Sequence, residues 1–168
     1  PISILPFFSK ILERCMYNRL LNFLDKFNII TDSQFGFRPG YSTSSALSQF
    51  LFKALNVMDS KELMIGLFLD LSKAFDSLDH TILLHKLQYY GIRGGLLKLF
   101  QSYLHERKQY VQINDTESQL LTVKCGVPQG SILGPLLFLL YINDIVNISD
   151  KLQLILFADD TSVFMSML

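Results

Sequence analysis

Two strongly apolar stretches of this chain run directly into aspartate, and this pattern limits the folds that the chain can adopt. Leu63 to Leu69 leads into Asp70, and Leu154 to Ala158 leads into the pair Asp159-Asp160. Short apolar runs of this kind are typical of buried strands. A buried charge without a partner is strongly unfavourable, so something must compensate for these carboxylates. We expect the strands to lie side by side, which would bring all three carboxylates to one end of a sheet.

Three carboxylates in one place repel each other unless cations lie between them. Mg2+ accepts carboxylate oxygens and keeps positions for water and substrate phosphates, and two ions about 3.5–4 Å apart can stabilise both oxygens of a phosphoryl transfer. Residues 111–168 carry six Asp/Glu against two Lys/Arg, which suits bound cations. Since neighbouring strand residues point to opposite faces, we predict that Asp159 is the stronger ligand of the pair. The alternative is a solvated turn, in which Asp-Asp is common.

Composition restricts the class of protein less sharply. The 168 residues are 49% apolar, enough for the core of one domain, and the net charge of zero gives no general sign of a nucleic-acid partner. Cys15 and Cys125 have no CxxC spacing, so we predict reduced core residues of an intracellular protein. The longest apolar run, Ile132 to Ile142, is too short for a bilayer, which needs about 20 residues.

The pattern of apolar residues predicts helices and strands without a strict βαβ rhythm. Helices are predicted over residues 8–25, 44–58, 80–90, 94–104 and 135–146, and strands over 63–69, 109–113 and 120–125, with a final hairpin over 152–165. The predicted inward face of the second helix consists of Leu47, Leu51, Ala54, Leu55 and Met58. We therefore predict an α+β fold with an antiparallel sheet backed by helices.

Four segments resemble motifs of one polymerase family. Leu69 to Asp76, LDLSKAFD, resembles motif A of reverse transcriptases, and residues 126–135, GVPQGSILGP, resemble motif B. Phe157-Ala158-Asp159-Asp160 resembles motif C. Residues 34–43, QFGFRPGYST, are similar to a segment that precedes motif A in non-LTR retrotransposon and group II intron enzymes. The order and spacing match the family, and the chain looks most like the LINE-type elements of animals.

The resemblance implies a two-metal nucleotidyl transfer. Asp70 would bind both Mg2+ ions, helped by the backbone carbonyl of Leu71, and Asp159 would complete the pair. Asp160 would add negative charge and act as a weaker or conditional ligand, and Mn2+ would substitute for Mg2+. The primer 3′-hydroxyl would attack the α-phosphate of a dNTP, and pyrophosphate would leave.

The resemblance also implies contacts with the nucleotide and the template. Phe75 would be the steric gate that excludes a ribose 2′-hydroxyl, and Gln129 and Gly130 would lie beside the nascent base pair. Arg38 and Pro128 would lie on the template side. The alternatives are an ordinary core ring for Phe75, a plain turn at Gln129-Gly130 and a salt-bridged structural arginine at position 38.

The resemblance covers residues 1–168 as a partial reverse transcriptase domain. It implies fingers-side helices over about 1–62 and a polymerase palm over about 63–168, with the thumb and a basic fingers hairpin absent. The implied partners are an RNA template, a DNA primer, dNTP and the rest of the element's polyprotein, with no membrane. The implied location is intracellular, and nuclear during integration.

Two alternative functions are open at this point. One is a catalytically inactive relic of a mobile element with residual RNA binding. The other is an RNA-dependent RNA polymerase, but such enzymes typically carry Gly-Asp-Asp, so Phe157-Ala158 and Phe75 argue against it.

Overall fold

A three-stranded antiparallel sheet carries the two apolar stretches. The structure is a computed structural model that describes residues 3–167. The sheet has the order β1-β7-β6, formed by Leu63–Leu69, Asp160–Met167 and Gln153–Phe157 respectively. β1 and β7 pair from Leu63 opposite Met167 to Leu69 opposite Thr161. The predicted hairpin is therefore confirmed. The predicted adjacency of the two apolar strands is wrong, because β7 lies between β1 and β6, although the turn of the hairpin and the end of β1 lie at the same end of the sheet.

Five α-helices and two 3-10 segments lie within residues 3–167. The α-helices are α1 (Phe7–Lys26), α2 (Thr43–Asp59), α3 (His80–Tyr89), α4 (Gly94–Leu104) and α5 (Gly134–Ile142), and the 3-10 segments are Ala74–Asp76 and Asn143–Ile148. The Ser42 side chain caps α2 and the Asp79 side chain caps α3. Within the described chain, none of the helices is both long enough and apolar enough to cross a membrane.

Most of the core lies between helices. Residues from α1, α3, α4 and α5 form the larger cluster, in which α5 is buried nearly all round. A smaller cluster of Phe35, Ile155 and Phe164 lies between the sheet and α2. The sheet is thus held by packing on α2 and by its own strand pairing.

The predicted burial of β1 is wrong. Six of its seven residues are exposed, because β1 is an edge strand that pairs only with β7. The predicted inward face of α2 is also wrong, since Leu47, Leu51, Leu55 and Met58 are exposed. Instead α2 packs through Ala46 and Phe50, whose ring centroid lies 5.1 Å from that of Phe164.

Other predicted details also differ from the structure. Cys15 and Cys125 are exposed rather than in the core. Near Cys15, the inward side of α1 is occupied by Glu13 and Met16. Helix α5 ends at Ile142 and continues as a 3-10 segment.

The strands predicted over 109–113 and 120–125 are interrupted. They form β2 (Lys108–Gln109), β3 (Gln112–Ile113), β4 (Thr116–Glu117) and β5 (Leu121–Thr122). The break lies at Ser118, whose Oγ accepts a 2.9 Å hydrogen bond from the Val111 amide. That amide is then not available for a strand ladder.

Candidate active site

The aspartate pair lies at a two-residue hairpin loop between β6 and β7. Phe157 pairs with Asp160, so Ala158 and Asp159 form the loop. Ala158 has a φ of +57°, the positive value that primed hairpin turns require at their first loop position. Leu69 is the last paired residue of β1, so Asp70 leaves the sheet at the end where this hairpin turns.

The three carboxylates have no protein partner within residues 3–167. Asp70 and Asp160 are exposed and Asp159 is half-buried, and none of them forms an ion pair or a side-chain hydrogen bond there. The described part of the chain also contains no group of three or more His, Cys, Asp or Glu side chains placed to hold a metal ion. By donor chemistry, uncommitted carboxylate oxygens fit a hard divalent cation. The assignment of Asp70, Leu71, Asp159 and Asp160 as ligands stays a prediction.

The segment before α2 is attached to the hairpin loop. Gln34 forms a parallel bridge with Leu156, and its side-chain Oε1 accepts a 3.0 Å hydrogen bond from the Ala158 amide. A Cβ on Gly36 would lie 2.1 Å from the Ala158 nitrogen, so only glycine fits there. The sequence reasoning missed Gln34 and Gly36 as neighbours of the aspartates, although both lie in a segment that it had singled out.

Phe75 lies on the 3-10 segment that follows Asp70. Its ring is half-buried, with its centroid 4.8 Å from that of Phe138 and 6.0 Å from that of Phe37. The Phe75 carbonyl accepts a 2.9 Å hydrogen bond from the Val127 amide. Phe75 is therefore packed on the core and tied by its backbone to the segment that leads to Gln129.

A tight turn presents Gln129 and Gly130. The Ser131 amide donates to the Pro128 carbonyl at 3.1 Å, and Gly130 has a φ of +91°, which favours glycine in this position of a turn. The side-chain Nε2 of Gln129 lies 3.3 Å from both carboxylate oxygens of Asp76, to which it can donate. The turn predicted from the sequence is confirmed, and the nucleotide contacts of Gln129 and Gly130 stay predictions.

A buried carboxylate binds the backbone just after this turn. Glu13 of α1 is only 1% exposed, and it accepts a 2.7 Å hydrogen bond from the Ile132 amide and a 3.0 Å bond from the Tyr103 hydroxyl. Burial, followed by the charge of Glu13, raises the pKa of Tyr103 above its usual value. In the sequence, Glu13 is one of several polar residues of α1, and nothing in the pattern indicates that it is buried and bound to Ile132 and Tyr103.

Arg38 makes structural contacts near the loop. Its Nη1 donates to the carbonyls of Thr31 at 2.9 Å and Gln34 at 3.1 Å, and its guanidinium lies 4.2 Å from the ring centroid of Tyr41. No carboxylate pairs with it in the described chain, so its structural role depends on backbone carbonyls rather than a salt bridge. A template-side role for Arg38 and Pro128 stays a prediction.

An antiparallel sheet backed by helices, with an aspartate after its edge strand and two at its hairpin, is the fold of a polymerase palm with part of the fingers. The chain belongs to the reverse transcriptase (RNA-dependent DNA polymerase) family, whose family model matches residues 1–168.

The relatives include retrotransposon proteins. The chain is 38% identical over 167 residues to the probable RNA-directed DNA polymerase from transposon X-element of Drosophila melanogaster, which covers 97% of this chain and 18% of that protein. It is 36% identical over 170 residues to the RNA-directed DNA polymerase from mobile element jockey of the same organism, again covering 97% and 18%. The chain therefore spans less than a fifth of the length of these relatives.

Solved telomerase structures share the fold. Telomerase from Candida tropicalis in complex with the TWJ fragment of telomeric RNA has a TM-score of 0.68 at 15% identity, covering 96% of this chain and 29% of that one. The apo enzyme truncated from its C-terminal domain has a TM-score of 0.66 at 17% identity, covering 94% and 34%.

Proposed function

We propose that this chain is the catalytic core of an RNA-directed DNA polymerase of a non-LTR retrotransposon. The reaction joins a dNTP to a primer 3′-hydroxyl on an RNA template. The observation that carries the proposal is that Asp70 leaves the sheet at the end where the Asp159-Asp160 hairpin turns, and that the three carboxylates have no protein partner in the described chain. The relatives named as RNA-directed DNA polymerases and the telomerase bound to telomeric RNA support it.

The acidic end of the sheet is the proposed site for two Mg2+ ions, with Mn2+ as a substitute. Asp70, the Leu71 carbonyl, Asp159 and Asp160 would hold them, and bound ions would supply charge neutralisation at the attacking and leaving oxygens. Positioning and charge do most of the work in such a transfer, so no serine or histidine nucleophile is required. Asp159, in the loop itself, is the proposed stronger ligand of the pair.

Phe75 is the proposed determinant of sugar selection. Its ring is fixed against Phe138 and Phe37, so it forms a wall that cannot easily move aside for a 2′-hydroxyl. Gly130 has no side chain, which leaves backbone accessible to the base pair, and Gln129 can donate or accept hydrogen bonds there. Arg38 and Pro128 are proposed to face the template strand.

The wider setting is also part of the proposal. Residues 1–62 would belong to the fingers side and residues 63–168 to the palm of a longer polyprotein, with action in the nucleus during integration. The retrotransposon proteins, of which this chain spans 18%, support the longer protein in this setting.

Primer extension on an RNA template tests the proposal. The proteins are this chain and a chimaera in which it replaces the matching segment of the jockey polymerase, with Mg2+ or Mn2+ as the only divalent ion. We expect Asp70→Ala and Asp159→Ala to lower dNTP incorporation by about a hundredfold to a thousandfold and Asp160→Ala to lower it less. Asp150→Ala, an exposed aspartate outside the site, is the matched control.

Two outcomes would contradict the proposal. One is full activity of the Asp159→Ala variant. The other is a folded chimaera that binds RNA but incorporates no dNTP, the behaviour of an inactive relic.

A further inference from the structure

We propose that Gln34 is a positioning residue that fixes the Ala158-Asp159 loop and thereby the two carboxylates of the hairpin. The inference rests on the proposed polymerase function and adds a residue that touches neither substrate nor metal. It arises from contacts between the segment before α2 and the loop.

The Gln34 side chain binds the loop from a buried position. It is 1% exposed, and its Oε1 accepts from the Ala158 amide at 3.0 Å and from the Gly36 amide at 2.8 Å. Its Nε2 makes a longer contact of 3.4 Å with the Ala158 carbonyl. Two backbone donors on one oxygen define which way the side-chain amide points.

Gln34 is itself held firmly in place. The Phe35 amide donates to the Leu156 carbonyl and the Leu156 amide donates to the Ser33 carbonyl, both at 2.8 Å. Arg38 binds the Gln34 carbonyl. The segment therefore behaves as a short extra strand beside β6, and Gln34 projects from it onto the loop.

The loop depends on this support. Ala158 has a φ of +57°, a region that residues other than glycine rarely adopt unless the surroundings hold them there. The Asp159 and Asp160 carboxylates have no hydrogen-bond or ion-pair partner in the described chain, so the backbone of the hairpin is what positions them. A change at Gln34 should therefore move the carboxylates without removing them.

Gln34→Met tests this inference, because methionine keeps the length of the side chain and removes its hydrogen bonds. Asn143→Leu is the matched control. Asn143 is also buried and binds the same region, donating to the Ile29 carbonyl and accepting from the Thr31 amide, but it makes no hydrogen bond to Ala158. Both variants are compared in the active chimaera, well below their melting temperatures.

We expect Gln34→Met to lower kcat by about tenfold to a hundredfold, with the KM for dNTP within about twofold, because small misplacements of catalytic groups have effects of this size. We expect Asn143→Leu to keep kcat within about twofold at a similar loss of melting temperature. An equal fall of kcat in both variants, or an unchanged kcat in Gln34→Met, would overturn the inference.

Amide hydrogen exchange of this chain supplies a readout that does not need activity. Gln34→Met should speed exchange at the Ala158 amide by about tenfold or more while the Leu156 amide stays protected. Gln34→Glu keeps the accepting oxygen and should preserve the protection of Ala158. Gln34→Ala also removes the hydrogen bonds, and it replaces the methionine variant if that variant does not fold. Unchanged exchange at Ala158 in the methionine variant would refute the contact. If the unmodified chimaera incorporates no dNTP, the proposed function fails and exchange alone decides the role of Gln34 at the loop.

Discussion

At the scale of single residues, two glycines of the chain face opposite surroundings. A Cβ on Gly36 would meet the backbone nitrogen of Ala158 at 2.1 Å, whereas a Cβ on Gly95 in α4 meets nothing within 4 Å. We expect Gly36→Ala to lower the free energy of unfolding by about 3 kcal/mol or more, because neither backbone can move aside. Gly95→Ala should raise it by about 0.5–1 kcal/mol through helix propensity. Denaturant unfolding of both variants measures the difference, and a neutral Gly36→Ala would mean that the segment is not pressed against the loop.

Phe75 carries a second prediction at this scale. Phe75→Val removes the ring that packs on Phe138, so the space left by the ring should admit a ribose 2′-hydroxyl. We expect the preference for dNTP over rNTP, measured as a ratio of kcat/KM in the chimaera, to fall by about tenfold or more. Phe23→Val, which removes another half-buried ring beside the same core, should lose stability and keep the preference. Equal preference in both variants and the parent would remove the gate role of Phe75.

The sequence reveals some of these residues and hides others for a physical reason. Asp70 and Asp159 are visible because a charge directly after an apolar run is a local pattern. Gln34 and Glu13 act through hydrogen bonds to residues 124 and 119 positions away. Glu13 has neighbours like those of any surface side chain, and Gln34, although it begins the segment 34–43, has no neighbour that indicates its partner. Only the folded chain therefore shows their contacts.

At the scale of elements, α1 and α4 are joined under the turn that carries Gln129. Tyr103 of α4 donates to Glu13 of α1, and Glu13 in turn holds the Ile132 amide. Burial and the Glu13 charge raise the Tyr103 pKa in the folded chain. The unfolded tyrosine ionises near pH 10 (about its ordinary pKa). The neutral phenol therefore contributes stability that is complete below this pH and is lost as the pH rises towards the folded value.

We therefore expect Tyr103→Phe to be less stable than the parent near pH 8 and to lose less stability between about pH 10 and 11. Unfolding free energies at both pH values measure this difference. Tyr90, whose pKa is also raised by burial, stays in both proteins and cancels in the comparison. A parallel decline in the two proteins would show that Tyr103 ionises normally in the folded chain.

Elements also show where patterns of apolar residues mislead. The spacing of apolar residues located α2 within a residue or two but selected the wrong face, because the rings of Phe50 and Phe164 determine how the helix packs. The β1 stretch was located correctly, yet its burial was not, because periodicity cannot tell which strand lies at the edge of a sheet. Topology, which depends on contacts between distant segments, supplies that information.

At the scale of the whole molecule, the exposed apolar surface and the acidic end are separate features of one sheet. Leu63, Ile65, Leu67 and Phe68 are all exposed on β1, and exposed edge strands promote association between copies. The chain spans only 18% of the X-element protein and 18% of the jockey protein. Because the exposed edge strand promotes association, measurements on this chain need low protein concentrations, so that association does not mask effects at the aspartates.

Binding of divalent ions to the acidic end should stabilise the whole molecule. A ligand that binds only the folded state at ten times its Kd adds about 1.4 kcal/mol, which for a domain of this size corresponds to about 3–6 °C in Tm. We expect Mg2+ at millimolar concentration to raise the Tm of this chain by a shift of this order. Asp159→Asn should abolish the rise, while Asp150→Asn, an exposed aspartate elsewhere, should keep it. A rise that survives Asp159→Asn would place the ions elsewhere, and an unchanged Tm in the parent would show that the three carboxylates do not form an ion site without substrate.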